Sequence, residues 1–274
     1  MTTRKLTVQE QLAKWPSHMV LKVGAIAGLI ILLALSYYYI PYPGLTDTGI
    51  RIARNILFSI FNPSLELLLD FSTKNGVVYL LFETAAIAFL GTLIGTLVSI
   101  PLAFLSSRNI MPNWFTNLGI ALITIIRTFP TVVYGLMFIR VAGPGPFTGV
   151  LTLAIASIGM VSKLFIETIE DLDPGIIEAL DASGCNTIQK IQYGIIPQLL
   201  GNFTSTAIYR FEINVKYATI LGMVGAGGIG APLIFAISAY RWKDVGALLI
   251  GLIIFVLVIE LISSKIRKKL ATGE

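Results

Sequence analysis

Among the ionisable residues inside long apolar runs of this sequence are Arg127, Arg210, Glu212 and Lys216. A charge at bilayer depth costs at least about 2.5–3.5 kcal/mol, so such groups face a protein interior or a water-filled path. A guanidinium is planar, stays charged and presents a fork that matches the oxygens of an oxyanion. Arg127 lies roughly ten residues, hence about 15 Å, into its run and just before Pro130. Together with Arg210 it would lend positive potential to a path for such an anion. A purely structural reading stands beside this one. Glu83, in another run, is a candidate partner for Arg127, and Glu212 and Lys216, four apart in the favourable order, are placed to pair with each other.

Other chemistry is thinly supplied. With one His and one Cys, the chain offers no metal-ligand spacing, no intrachain disulfide and no cluster of nucleophile, base or metal ligands at one depth. No Walker A sequence occurs, so any ATP would be hydrolysed on another polypeptide. Gly225-x-Gly227-x-x-Gly230 formally matches the dinucleotide fingerprint, but that motif needs a βαβ unit and an acidic residue about 20 positions on. Asp244 is too near and Glu260 falls inside an apolar run. The stretch, with Gly228, reads instead as a glycine-rich break. Backbone that leaves a helix at membrane depth is tolerated only where protein or a water-filled cavity covers it, which places the break near a pathway or gate. A tight outer turn that packs helices closely is the alternative.

The elements that must hold these residues follow from composition. Of 274 residues, 55% are hydrophobic and 13% charged, about half the usual charged share of a soluble domain, roughly 25%. The expectation is an all-α polytopic membrane helix bundle of about six spans: one peripheral N-terminal span plus a five-span core. The spans fall at about 19–40, 77–105, 117–139, 148–169, 199–223 and 244–262. Residues 1–18, which include His18 at the edge of the first span, are cytoplasmic. Residues 19–76 hold the first span and an outer amphipathic segment with Ile50, Ile56, Leu57 and Phe61 on one face and Arg51 and Arg54 on the other. Residues 77–264 form the transmembrane core, and 265–274 a basic tail. The second span carries Gly91-x-x-x-Gly95, which permits close helix approach. In the third, Pro130 is expected to kink the helix. Gly225–Gly230 and Ala231–Tyr240 form an outer segment.

Orientation follows from the cations. With the N-terminus inside, inner segments hold Arg4, Lys5, Lys14, Arg108, Lys190, Lys265, Arg267, Lys268 and Lys269, and outer segments hold Arg51, Arg54, Lys74, Arg140, Arg241 and Lys243. Nine against six favours both termini in the cytoplasm. Basic residues gathered at membrane edges suggest orientation in lipid rather than nucleic-acid binding.

One polar island, 173–198, interrupts the core on the cytoplasmic side. Asp173-Pro174 starts a short helix and Gly184 breaks it. Asn186 and Gln189 form a capping box for a second helix, which Pro197 is expected to end. Glu178-Ala179, Gly184 six residues after the Glu, and Pro197 thirteen after the Gly resemble the EAA loop of permease subunits of bacterial ABC importers. The family pattern is roughly E-A-A-x3-G-x9-I-x-L-P. Leu180 stands for its second Ala, Gly194 for its Ile and Ile196 for its Leu. Arg127-Thr128-Phe129-Pro130 and the block from Arg210 to Lys216 through Gly225–Gly230 sharpen the likeness to the phosphonate importer permeases, over roughly residues 77–270.

That resemblance implies a transport subunit, not an enzyme, without cofactor or metal, in the cytoplasmic (inner) membrane of a prokaryote. It implies two copies of an ABC ATPase subunit on the loop, an extracytoplasmic solute-binding protein and a homodimer of this chain. Glu178 would form a salt bridge with a cation on the ATPase or only solvate the loop's surface. The solute would be phosphonate or a related phosphorus oxyanion. Alternatives are a permease for phosphate, phosphite or an amino acid and, from other classes, an ion-coupled secondary transporter or an integral-membrane enzyme.

Overall fold

A computed structural model describes residues 19–40, 44 and 46–272 of the chain. The expectations for Arg4, Lys5, Lys14 and His18 lie outside the described residues. The chain divides into two units, residues 1–52 and 53–274. In the first, α1 (Met19–Tyr39) is apolar all round and buries no residue, the character of a helix whose neighbours are lipid or another chain. Helix α2 (Asp47–Phe61) crosses the unit boundary and is amphipathic as expected, with Ile50, Leu57 and Phe61 exposed.

The second unit is all helix among its described residues. After the short α3 (Leu65–Leu68) come α4 (Val77–Ser106), α5 (Asn113–Thr128), α6 (Thr131–Ala142) and α7 (Pro146–Glu170). Helix α8 (Pro174–Ala182) and a three-residue turn, α9 (Thr187–Gln189), precede α10 (Ile196–Met223), α11 (Gly230–Ser238) and α12 (Trp242–Thr272). Helices α4 and α7 are the central pair, and the GxxxG is the reason they approach closely. A Cβ on Gly91 would stand 2.6 Å from Leu153 Cβ, and one on Gly95 2.5 Å from Ser157 Cβ. Three buried clusters succeed one another along α4. Val77 and Leu80 meet Ile229, Leu233 and Leu248; Ile87 and Ala88 meet Leu153, Val215 and Leu221; Ala103 and Phe104 meet Phe165, Ile195 and Phe203. The α4–α5 turn is tied to the end of α7, where Glu170 accepts from the Arg108 N–H at 2.9 Å and the Ile169 carbonyl from Asn109 at 2.8 Å.

Among the described residues, four helices are long and apolar enough to cross a membrane: Met19–Tyr39, Val77–Ser106, Pro146–Glu170 and Trp242–Leu270. The third expected span is not one kinked helix. Helices α5 and α6 meet at 83°, and only as a bent pair do they pass as a fifth span. The residue before a proline is pushed out of the helical region; Phe129 is extended (φ −89°, ψ 132°), so α5 stops at Thr128. Pro130 has no N–H for the Ile126 carbonyl, and the Tyr134 hydroxyl donates to that carbonyl instead, at 2.9 Å. Helix α10, at 28 residues, is long enough to cross, but Arg210, Glu212 and Lys216 lower its hydropathy. Six spans are reached only by counting it and the bent pair.

Candidate functional site

The polar island folds largely as its local signals dictate. Asp173 accepts from the Gly175 N–H at 2.9 Å at the head of α8, with Pro174 in the first turn. Gly184 follows in the left-handed region (φ 76°), and Cys185 N–H donates back to the Leu180 carbonyl at 3.1 Å. Asn186 and Gln189 complete the capping box, side chain to backbone, at 2.9 and 2.8 Å. Lys190 pairs with Asp181 and pins the two arms together.

Pro197 does not end the second arm, which corrects the expectation. A π-helical stretch, Lys190–Ile195, runs directly into α10, and Pro197 lies in that helix's first turn. A proline lacks a donor and crowds the carbonyl four residues before it; a widened turn just upstream lets the chain remain helical. The loop is therefore one short helix hinged at Gly184 onto an extension of a long one. Glu178, Ala179, Gly184 and Pro197 are all exposed. No ion pair among the described residues includes Glu178.

Two of the three departures from the family pattern, Leu180 and Gly194, lie against each other. A Cβ on Gly194 would come 2.4 Å from Leu180 Cδ1. A larger residue at 180 fills the space that a side chain at 194 would take, so α8 keeps its place on the second arm.

The membrane charges sort differently from the pairing expected. Glu83 does not meet Arg127. It accepts instead from the Gly228 N–H at 3.0 Å. Arg127 is exposed, and no ion pair among the described residues includes it. Arg210 is 4% exposed; its Nε donates to Ser157 Oγ at 2.9 Å and its Nη1 to Met160 Sδ at 2.9 Å. Asn214, fully buried one turn on, donates to Thr92 Oγ1 and Ser157 Oγ, both at 2.8 Å. The stem of Arg127 rests on Gly159, where a Cβ would stand 2.8 Å from Arg127 Cγ. Both arginines thus meet one turn of α7, Ser157–Met160, from α5 and from α10. Glu212 does pair with Lys216, at 3.4 Å, but its shorter contact is with Arg267 on α12, at 3.0 Å. Arg267 also lies over the Tyr209 ring, 5.2 Å from its centre.

The glycine-rich break joins α10 to α11. Gly225, Gly227 and Gly228 all have positive φ, 101°, 84° and 74°. The chain doubles back so tightly that a Cβ on Gly230 would meet the Thr219 carbonyl oxygen at 2.1 Å. Reading the sequence missed Ser157, Met160, Thr92, Thr84 and Asn214. Only Asn214 carried a signal, as an amide in an apolar run between Arg210 and Lys216.

A helical bundle with span-length apolar helices, two arginines that meet one turn of α7 and an exposed, capped loop fits a membrane transport protein of the permease class. Residues 99–271 match the family described as binding-protein-dependent transport system inner membrane component, and the chain belongs to that family. It is 35% identical over 201 residues to the phosphite transport system permease protein PtxC of Stutzerimonas stutzeri, covering 73% of each chain. It is 34% identical to the phosphate-import permease protein PhnE of Mycolicibacterium smegmatis, over 69% of this chain and 36% of that one. It is 41% identical to the putative cryptic phosphonate transport system permease protein PhnE2 of Escherichia coli, over 43% of this chain and 97% of that one. Among solved structures, an inward-facing MetNI methionine ABC transporter shares the fold, with TM-score 0.62 and 20% identity over 71% of this chain and 95% of that one.

Proposed function

We propose that this chain forms the membrane path of an ATP-driven importer for a small phosphorus oxyanion: phosphonate, phosphite or phosphate. The observation that carries the reading is the exposed Arg127, in no ion pair among the described residues, beside the α5–α6 break and sharing a turn of α7 with Arg210. A guanidinium at that depth is stable only if water, an anion or another chain meets it. The names of the relatives, phosphite, phosphate and phosphonate permeases, support the same anion class. In this reading a second copy of the chain completes the path, with Arg127, Pro130, Arg210, Glu212 and Lys216 along it and Gly225–Gly230 near its outer end. An outer solute-binding protein delivers the anion. Two ATPase subunits grip the loop around Glu178, Ala179, Gly184 and Pro197 in the cytosol, where both termini lie. Continuity of the second arm with α10 supports a direct linkage, since a helix moved at its base carries its far end with it.

The test is uptake into vesicles that hold the assembled complex, with each of the three anions offered in turn. Uptake of at least one, lowered at least tenfold by Arg127→Gln with assembly unchanged, is expected. Normal uptake and apparent affinity in Arg127→Gln would remove Arg127 from the path. Glu178→Arg should leave insertion intact and prevent the ATPase from co-purifying; retention of a coupled ATPase would remove the loop from that role.

A further inference from the structure

The glycine-rich break is held by side chains of a helix about 145 residues earlier in the chain. Glu83 Oε1 accepts from the Gly228 N–H at 3.0 Å, and Thr84 Oγ1 accepts from the Ile229 N–H at 3.0 Å. The Thr84 hydroxyl donates its own hydrogen bond to the Leu80 carbonyl at 2.7 Å, which leaves a lone pair toward Ile229. On the other side, the Gly145 N–H donates to the Gly225 carbonyl at 2.9 Å. The segment is thus clamped between the start of α4 and the turn that opens α7. The fit leaves no room for side chains. A Cβ on Gly227 would stand 2.8 Å from Pro146 Cα and 3.1 Å from Glu83 Oε1, and one on Gly228 2.7 Å from Thr84 Oγ1.

Two features set this clamp apart from ordinary packing. The acceptor is a carboxylate six residues into an apolar helix, yet no ion pair among the described residues includes it. A serine or asparagine would accept the same hydrogen bond without a charge at that depth. And the held segment contains three glycines at positive φ, Gly225, Gly227 and Gly228, residues whose backbone moves between conformations at little steric cost. A strong, charge-assisted hydrogen bond that restrains the most mobile kind of backbone is suited to hold one state and release it.

We propose that Glu83 and Thr84 are the latch that keeps the outer end of the path closed, acting as positioning residues for Gly225–Gly230. This rests on the reading that the glycine segment borders the path. Opening breaks the Gly228 and Ile229 hydrogen bonds and swings the start of α11 from α4. Loss of the acceptors leaves the segment free to open without ATP.

The test places a cysteine at Ala226, which is 1% exposed, with Cys185→Ser as background, in the complete transporter. Labelling from outside by a small impermeant thiol reagent is followed together with ATP-independent leak of inorganic phosphate from loaded vesicles. Glu83→Leu should raise labelling about tenfold or more, the factor for losing a hydrogen bond to a charged acceptor, and should cause leak. Thr84→Val, which keeps the side chain's volume, should do the same more weakly, and serves if Glu83→Leu fails to assemble. Glu83→Gln retains an acceptor and should stay within about threefold of the parent, since a neutral hydrogen bond replaces a charged one. Unchanged labelling in both Glu83→Leu and Thr84→Val overturns the latch. A rise in labelling without leak overturns the gating role and leaves a structural tie. If Glu83→Gln labels as fast as Glu83→Leu, accepting the Gly228 hydrogen bond contributes nothing measurable, and the latch as stated is wrong. Labelling needs no transported solute, so if all three anions fail in the uptake assay the substrate reading falls, and labelling alone, without the phosphate leak, decides the latch.

Discussion

Gly184 isolates one physical effect in the loop. Its φ is 76°, and nothing lies within 4 Å of where a Cβ would be. A substitution there meets no neighbour, so its cost is the left-handed backbone alone, about 1–2 kcal/mol for an L-residue. If the ATPase binds only the hinged form, Gly184→Ala should weaken binding by roughly 5- to 30-fold, at 1.4 kcal/mol per factor of ten. Gly184→Val should do worse, because β-branched residues are least tolerant of positive φ. Gly184→Asn should be the mildest, because its short polar side chain hydrogen-bonds locally in that region. The assay is titration of the ATPase subunit onto purified permease in detergent, with light scattering or fluorescence as readout. The order Gly, Asn, Ala, Val is expected. Binding by Gly184→Asn as poor as by Gly184→Val would show that side-chain volume at an interface, not backbone conformation, selects glycine. Near-native binding by Gly184→Val would show that the hinge seen here is not what the ATPase grips.

Two further outcomes follow from contacts elsewhere. Gly194→Ile alone should destabilise the purified permease by about 1–3 kcal/mol through overpacking, because Leu180 already fills that space. Adding Leu180→Ala should recover about 1 kcal/mol or more by thermal melting, and additivity within about 0.5 kcal/mol would refute the complementary fit. Arg267→Gln should cost up to about 3 kcal/mol by leaving the buried Glu212 carboxylate short of its closest cation. Adding Glu212→Gln should lessen that loss, and a double variant worse than Arg267→Gln alone would contradict the pairing.

The helices themselves could be read from the chain because their causes are local. The apolar runs at 19–40, 77–105, 148–169 and 244–262, the Asp173 and Asn186 caps and the glycine at 184 each act within a few residues, and these appear where expected. The GxxxG at 91–95 was readable as a close approach, though its partner, α7, was not. The breaks were the first limit. Pro130 and Pro197 carry the same local signal, yet one turns the chain by 83° and the other is absorbed into a continuous helix by a π-helical stretch. Whether a proline stops a helix depends on what else satisfies the carbonyls around it, here Tyr134 at one site and a widened turn at the other.

Partner choice was the second limit. Opposite charge made Glu83 and Arg127 a reasonable pair, but the rotation and depth of α4 aim Glu83 at the Gly228 amide and leave Arg127 exposed. Arg210 was visible as a charge in an apolar run, while its partners, Ser157 and Met160, look like ordinary residues of another helix. Composition and short-range spacing say that a charge must be met. Which group meets it depends on helix register across the bundle, a property of the packed chain that no local stretch encodes.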